Sequence, residues 1–307
     1  MIRRITHRLR RVPPIGSFVK RMDDRRSRRN RQQLAMSYLR PRLKAVDRWL
    51  NESRETTNFT YDLHPTSIDY LAAAIATATG VNVQTVRQYI DEIQCDDNLR
   101  RHIRVATEAE SSEEGRVADA DAKLGRRLGW YAIARIVHPR VIVETGIDKG
   151  LGSCVLCAAL MANKRDGYPG RYFGTDINPA AGWLLTEPYR EFGEVLYGDS
   201  IESLRSFDQP IDLFINDSDH SGDYEKREYQ IVEKQLSPGA VVIGDNAHVT
   251  RELFDFAQAT NRQFLYWPEW PQGHWYPGGG IGLAWDPDVS ANRSAEGSKN
   301  HASPRDR

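Results

Sequence analysis

The sequence predicts an α/β fold: a mainly parallel seven-stranded sheet with an antiparallel last strand, plus a helical N-terminal extension. Three observations carry this expectation. Beyond residue 140, short β-branched runs alternate with helical stretches, which is the pattern of strand–helix–strand units and a parallel sheet. Before residue 116, apolar residues recur at helical spacing instead. The last two β-branched runs have no long helix between them, so they are expected to pair as an antiparallel hairpin at one edge.

The elements follow in order. Helices are expected over Leu34–Leu50, Ser67–Thr79, Asn82–Ile93 and Asp97–Ala109. In the second, Thr66 or Ser67 can cap the start, while Ile68, Leu71, Ala72 and Ile75 fall at helical spacing. Gly80 stands where a left-handed C-terminal cap is wanted. A further helix around Ala120–Val137 ends at His138-Pro139. The strand runs are Val141–Glu144, Arg171–Thr175, Glu194–Tyr197, Ile211–Ile215, Ala240–Ile243, Gln263–Trp267 and Ile281–Trp285. Helices over Cys154–Asn163 and Tyr224–Gln235 lie between them.

Charge divides the chain. Its 307 residues hold 42 Lys/Arg and 42 Asp/Glu, but residues 1–60 carry 17 of the former and only 5 of the latter, a net of +12 against −12 in the rest. Repulsion within Arg25-Arg26-Ser27-Arg28-Arg29 and the break at Pro13-Pro14 predict a largely disordered basic arm over 1–33. A helical accessory region (34–115), the α/β domain (116–287) and a disordered polar tail (288–307) complete the expected organisation. The arm reads as a solvated or docked tail, or as a contact for an anionic surface; no specific nucleic-acid motif accompanies it. The longest apolar runs, Leu71–Ala76 and Cys154–Ala162, fall far short of the roughly 20 residues a membrane span needs, and no apolar segment of a secretory leader follows the Arg-rich start. Three cysteines make no disulfide framework, so a cytoplasmic protein is expected.

In open α/β sheets ligands collect at the carboxyl ends of the strands. The first strand runs into Glu144-Thr145-Gly146-Ile147-Asp148-Lys149-Gly150-Leu151-Gly152-Ser153, where glycines permit a tight turn and close approach of a ligand. The second ends in Gly174-Thr175-Asp176, an acid placed to accept from both hydroxyls of a ribose. The third ends in Gly198-Asp199-Ser200, placed to meet an adenine amino group.

Taken as an ordered set, these three motifs resemble those of the class I S-adenosylmethionine-dependent methyltransferases, over roughly residues 116–287. The resemblance implies a Rossmann-like sheet and S-adenosylmethionine as cofactor. It assigns the cofactor-binding positions to Glu144, Gly146, Gly150, Asp176 and Asp199. A nicotinamide-dependent enzyme competes, but its Gly-x-Gly-x-x-Gly differs from Gly146-x-x-x-Gly150-x-Gly152.

The fourth strand ends in Asn216-Asp217-Ser218-Asp219-His220 and the fifth in Gly244-Asp245-Asn246-Ala247-His248. Asp217, Asp245 and Asn246 offer hard oxygen ligands at adjacent strand ends, a set suited to Mg²⁺. This resembles the metal-dependent O-methyltransferases that act on catechols, which carry an acid after the fourth strand and Asp-Asn after the fifth. In several of those a basic Lys stands where His220 falls here. His220 is therefore the candidate base, with Asp217 and Asp219 as its catalytic neighbours. The alternative for Asp219 and Ser221 is N-capping of the next helix. A metal-dependent and a metal-free site both stay open.

For the acceptor, the aromatic and proline-rich segment from Trp267 to Pro277 suits a sugar or aromatic small molecule, or else a packed edge hairpin. A non-catalytic cofactor sensor and an NAD-linked enzyme are the alternative functions, and monomer and homodimer are both open. Cys154-x-x-Cys157 reads as packing within a helix rather than a redox pair.

Overall fold

The computed structural model describes residues 13–287, with side chains from residue 20 onward. The chain divides into two compact units. One comprises residues up to Ser53 together with Gly273–Trp275, and the other runs from Arg54 to Gln272 and on from Tyr276.

The first unit holds the helix α1 (Pro13–Glu52) and the segment Gly273–Trp275, and the rings of Trp49 and Trp275 meet edge to face at 5.3 Å. The helix corrects the disordered reading of 13–33. Pro13 and Pro14 occupy the first turn, where their missing N–H groups would have no helical partner anyway. The Arg, Lys, Gln, Met and Leu residues that follow are strong helix formers, and Asp24 stands four residues before Arg28. The remainder of the arm (1–12) and the polar tail (288–307) lie outside the described residues.

The second unit opens with helices α2 (Pro65–Thr79), α3 (Val83–Gln94), α4 (Asp97–Ala109), the single turn α5 (Glu113–Arg116) and α6 (Arg127–Val137). His64, not Thr66 or Ser67, caps α2: its Nδ1 accepts from the Thr66 N–H at 3.2 Å, and Pro65 takes the first helical position. Gly80 closes the helix at φ +76°. Helix α6 starts seven residues later than Ala120, because Gly125 turns the chain at φ +51° against Tyr61.

The sheet comprises β1 (Val141–Thr145), β2 (Arg171–Asp176), β3 (Gly193–Tyr197), β4 (Ile211–Asn216), β5 (Leu236–Asp245), β6 (Gln263–Trp267) and β7 (Ile281–Trp285). Between them run α7 (Leu151–Arg165), α8 (Ser200–Ser206), α9 (Gly222–Val232) and α10 (Glu252–Ala259). The order is β3-β2-β1-β4-β5-β7-β6, and β7 alone runs against the others. Every expected strand is present, extended by one residue in β1 to β4 and further at both ends in β5.

Alternate side chains of each strand feed the two faces. Ile142, Leu213, Ile215, Val241 and Ile243 join one apolar cluster with Leu71, Ile75, Ile90, Ile103 and Ile133 from α2, α3, α4 and α6. Val143, Phe214 and Val242 join the other with Leu204, Tyr229 and Phe256 from α8, α9 and α10. Helices α2–α6 thus share the sheet's own core rather than forming an accessory body that ends at 115. Cys154 and Cys157 are fully buried in that cluster, and burial pushes both thiols far above their usual range, as packing residues require. No described helix is long and apolar enough to cross a membrane.

Candidate active site

The strand order reverses between β1 and β4, and at their carboxyl ends lies a cavity of about 480 Å³. Its lining includes Gly146, Ile147 and Asp148 after β1, Thr175 to Asn178 around the end of β2, Gly198 and Ser200 after β3, and Asp217 to His220 after β4. Arg127 and Tyr224 complete two of its walls.

The loop after β1 is fixed from both sides. Gly146 takes φ +78°, and a Cβ there would collide with the Asp217 carbonyl and come within 2.6 Å of the Ser218 Cα. Asp176 Oδ2 accepts the N–H groups of Ile147 (3.1 Å) and Asp148 (3.0 Å), while Oδ1 accepts from Asn178 at 2.8 Å. Asp176 therefore both faces the cavity and holds the loop that forms it. Gly150 (φ +90°) packs against Gly182 and does not line the cavity.

Glu144 and Asp199, assigned to the cofactor by resemblance, take other places. Glu144 is buried beneath the loop, where it accepts a hydrogen bond from Tyr172, which also contacts Ser153 at 2.7 Å. Burial pushes its carboxyl up to about 7, opposed by the Tyr172 hydrogen bond and the Arg127 charge. Gly152 has no side chain because Glu144 and Trp130 fill that space. Asp199 caps α8, its Oδ1 accepting from Ile201 N–H and Tyr224 hydroxyl at 2.8 Å each. Tyr224, which Asp199 orients, is what reaches the cavity there. Glu228, absent from the sequence reading, anchors this end by accepting from Ser200, Asn216 and Ser218.

On the β4 side, His220 is bracketed by two acids and an amide. Its Nδ1 lies 3.4 Å from Glu225 Oε1 and its Nε2 lies 3.6 Å from Asp217 Oδ1. Asn246 Nδ2 lies 3.2 Å from Nε2. Asp219 Oδ1 accepts from Ser221 N–H at 2.9 Å, so it shapes the turn into α9 while remaining at the cavity edge.

Asp217, His220 and Asp245 present atoms within 4.8 Å of one another, a spacing a metal ion could bridge. The donor set does not fit a hard divalent ion. Arg126 Nε and Nη2 donate to the two oxygens of Asp245, whose side chain is fully buried. Asn246 turns its NH₂ inward, to His220 and to Asp245 Oδ2 at 2.9 Å, and its Oδ1 faces Gly279. Burial and the neighbouring Asp245 carboxylate push Asp217 well above the usual carboxylate range. Burial alone would raise Asp245 too, but the Arg126 charge holds it low. The residues expected to hold a metal, Asp217, Asp245 and Asn246, are thus engaged with Arg126 and His220 in this structure.

Arg126, Tyr61 and Glu269 escaped the sequence reading because they meet across 65 and 143 residues of chain. An available signal was the Arg126-Arg127 pair opening the otherwise apolar stretch Leu128–Ile133. The aromatic segment after β6 packs instead of lining the cavity: Trp270 stacks on His64 at 4.0 Å, and buried Glu269 accepts from Tyr61 hydroxyl and from Gly279 and Gly280 N–H.

Residues 143–247 match the protein family described as a methyltransferase domain. No curated protein matches the sequence. Among solved structures, the O-methyltransferase from Bacillus cereus in complex with SAH is similar at 18% identity, covering 64% of this chain and 95% of that one, with a TM-score of 0.46. The O-methyltransferase TomG from Streptomyces achromogenes, involved in tomaymycin synthesis and solved with SAM, gives 19% identity, 62% and 90% coverage and a TM-score of 0.44. SAH-bound methyltransferase PaMTH1 from Podospora anserina gives 14%, 75%, 100% and 0.45. Likeness this remote carries nothing about substrate.

Proposed function

We propose, for a chain that carries a class I S-adenosylmethionine-dependent methyltransferase domain, that the cavity between β1 and β4 binds the methyl donor and that the acceptor is an oxygen nucleophile on a small molecule or sugar. The observation that carries this is the joint lining of one cavity by Gly146, Asp176 and Gly198, from three successive strand ends. Beyond the three N–H groups it accepts from Ile147, Asp148 and Asn178, Asp176 keeps one lone pair, on Oδ1, for a ribose hydroxyl. Tyr224 and Ser200 border the adenine end. Arg127 is the one Arg or Lys among the lining residues, and its Nε is buried without a hydrogen-bond partner, so it suits the donor's carboxylate.

When bound, S-adenosylmethionine supplies an electrophilic methyl carbon and leaves as a neutral thioether. His220 takes the acceptor hydroxyl's proton on Nε2, and Glu225 stabilises the imidazolium through Nδ1–H. Exclusion of bulk water and alignment do the remainder. A sensor would have no use for a His220–Glu225 pair at the cavity edge, which favours an enzyme. Three cysteines without a disulfide suit the cytoplasm. The exposed, Arg-rich face of α1 suits an anionic surface, with Leu39, Leu43 and Leu50 also exposed.

Calorimetric titration with S-adenosylhomocysteine and, separately, NAD tests the reading. Binding of the first and not the second is expected; the reverse would refute it. Acceptor screening by mass spectrometry then identifies the methylated product.

A further inference from the structure

We infer that Arg126 is the resident cation of the Asp217–Asp245 cluster, so that this site works without a divalent metal; the inference rests on the methyltransferase reading above. The guanidinium sits in a socket assembled from four separate stretches of chain. Nε and Nη2 engage both oxygens of Asp245, and Nη1 donates to Tyr61 Oη at 3.0 Å and approaches Glu269 Oε1 at 3.4 Å. Tyr61 in turn donates to Glu269 at 2.6 Å. Glu269 also accepts from Gly279 and Gly280 N–H at 2.6 and 3.0 Å, and the Gly280 carbonyl accepts from Asn246 N–H at 3.2 Å. Socket and Asp245-Asn246 turn are therefore one structure.

The buried carboxylate of Asp245, beside the part-exposed Asp217, needs a compensating positive charge. A guanidinium supplies one that never titrates and matches a carboxylate with two parallel bonds. A divalent ion on Asp245 would have to displace that fork or sit beside it against a like charge. Asn246 is held in the same cluster, against His220 and Asp245. The same two-carboxylate pattern at the strand ends is thus filled from within the chain.

Metal-stripped full-length protein should be titrated with Mn²⁺, following the free ion by electron paramagnetic resonance, beside calorimetry with S-adenosylhomocysteine in EDTA and in Mg²⁺. Wild type should show no stoichiometric site tighter than about millimolar, and homocysteine-product affinity should agree within about twofold in the two buffers. Arg126→Gln, which frees Asp245, should gain Mn²⁺ affinity; Arg126→Lys, which keeps the charge, should not. A stoichiometric wild-type Mn²⁺ site that disappears in Asp245→Asn would overturn the inference. So would a folded Arg126→Gln that gains nothing. If Arg126→Gln does not fold, the wild-type titration decides. Failure of wild type to bind S-adenosylhomocysteine in either buffer would instead sink the methyltransferase reading, whatever Mn²⁺ does.

Discussion

The carboxylate of Asp176 accepts the backbone N–H of Ile147 at 3.1 Å, so the end of β2 holds the loop that follows β1. Two motifs far apart in sequence are one piece of the cavity. The carboxylate that suits a ribose is also the brace that keeps Gly146 and Asp148 in place.

Replacing Asp176 with Ala should therefore cost more than one ribose hydrogen bond. A charge-assisted bond contributes about 1.5–3 kcal/mol, which converts to a loss of at least about 10-fold in S-adenosylhomocysteine affinity. Asp176→Asn keeps an acceptor for the loop and should lose less. Calorimetry on folded variants checks the order, and equal affinities for wild type and Asp176→Ala would remove Asp176 from the site.

Gly146→Ala should abolish donor binding. The left-handed φ of +78° alone costs a non-glycine residue about 1–2 kcal/mol. The added Cβ also meets backbone of Asp217 and Ser218, which cannot swing aside as a flexible side chain would. Urea denaturation should show lower stability, and calorimetry no detectable binding. A Gly146→Ala protein that binds normally would mean that the loops after β1 and β4 are not in contact.

Glu144 makes stability depend on pH. Its carboxyl, ordinarily near 4.5, is pushed up to about 7 by burial in the folded chain. Below 4.5 both states hold the proton, and the contribution is fully present. Between the two values the unfolded chain releases a proton that the folded chain keeps, so stability falls as pH rises and is lost beyond about 7. The loss is on the order of 3 kcal/mol. Unfolding free energies from urea denaturation between pH 4.5 and pH 8 should fall by this amount in wild type and much less in Glu144→Gln. Parallel curves would exclude Glu144 as the cause.

Much of this fold was legible because its signals are local. Val141–Thr145 is buried along its whole length, and its opening Val141-Ile142-Val143 reads as the apolar run of a central parallel strand. Gly80 and Asn82 mark helix ends through their own backbone and side chain. Helix α1 was misread because like-charge repulsion was weighed above the helix propensity of the same Arg residues. The acid after β2 was found, but not its second task, since bonds to Ile147 and Asp148 span 29 and 28 residues. The Arg126 contact was out of reach for a similar reason. Asp217 and Asp245-Asn246 were visible as a pattern, while the guanidinium that fills it comes from Arg126, 119 residues away from Asp245.

His220 and Glu225 give the last prediction. The imidazole presents Nε2 to the Asp217 side and Nδ1 to Glu225, which is itself held by Thr250. If Nε2 takes the acceptor proton, His220→Ala should lower kcat by about 10²–10⁴-fold with little change in S-adenosylhomocysteine affinity. Glu225→Gln keeps the imidazole but removes the charge that stabilises its protonated form, so its loss should be smaller. Activity of His220→Ala should recover in part at high pH, where the acceptor hydroxyl ionises without a base. These rates are read with whichever acceptor the screen identifies. An unchanged kcat in His220→Ala at neutral pH would show that the acceptor needs no base, and the oxygen-nucleophile reading would then give way to a more acidic or more nucleophilic acceptor atom.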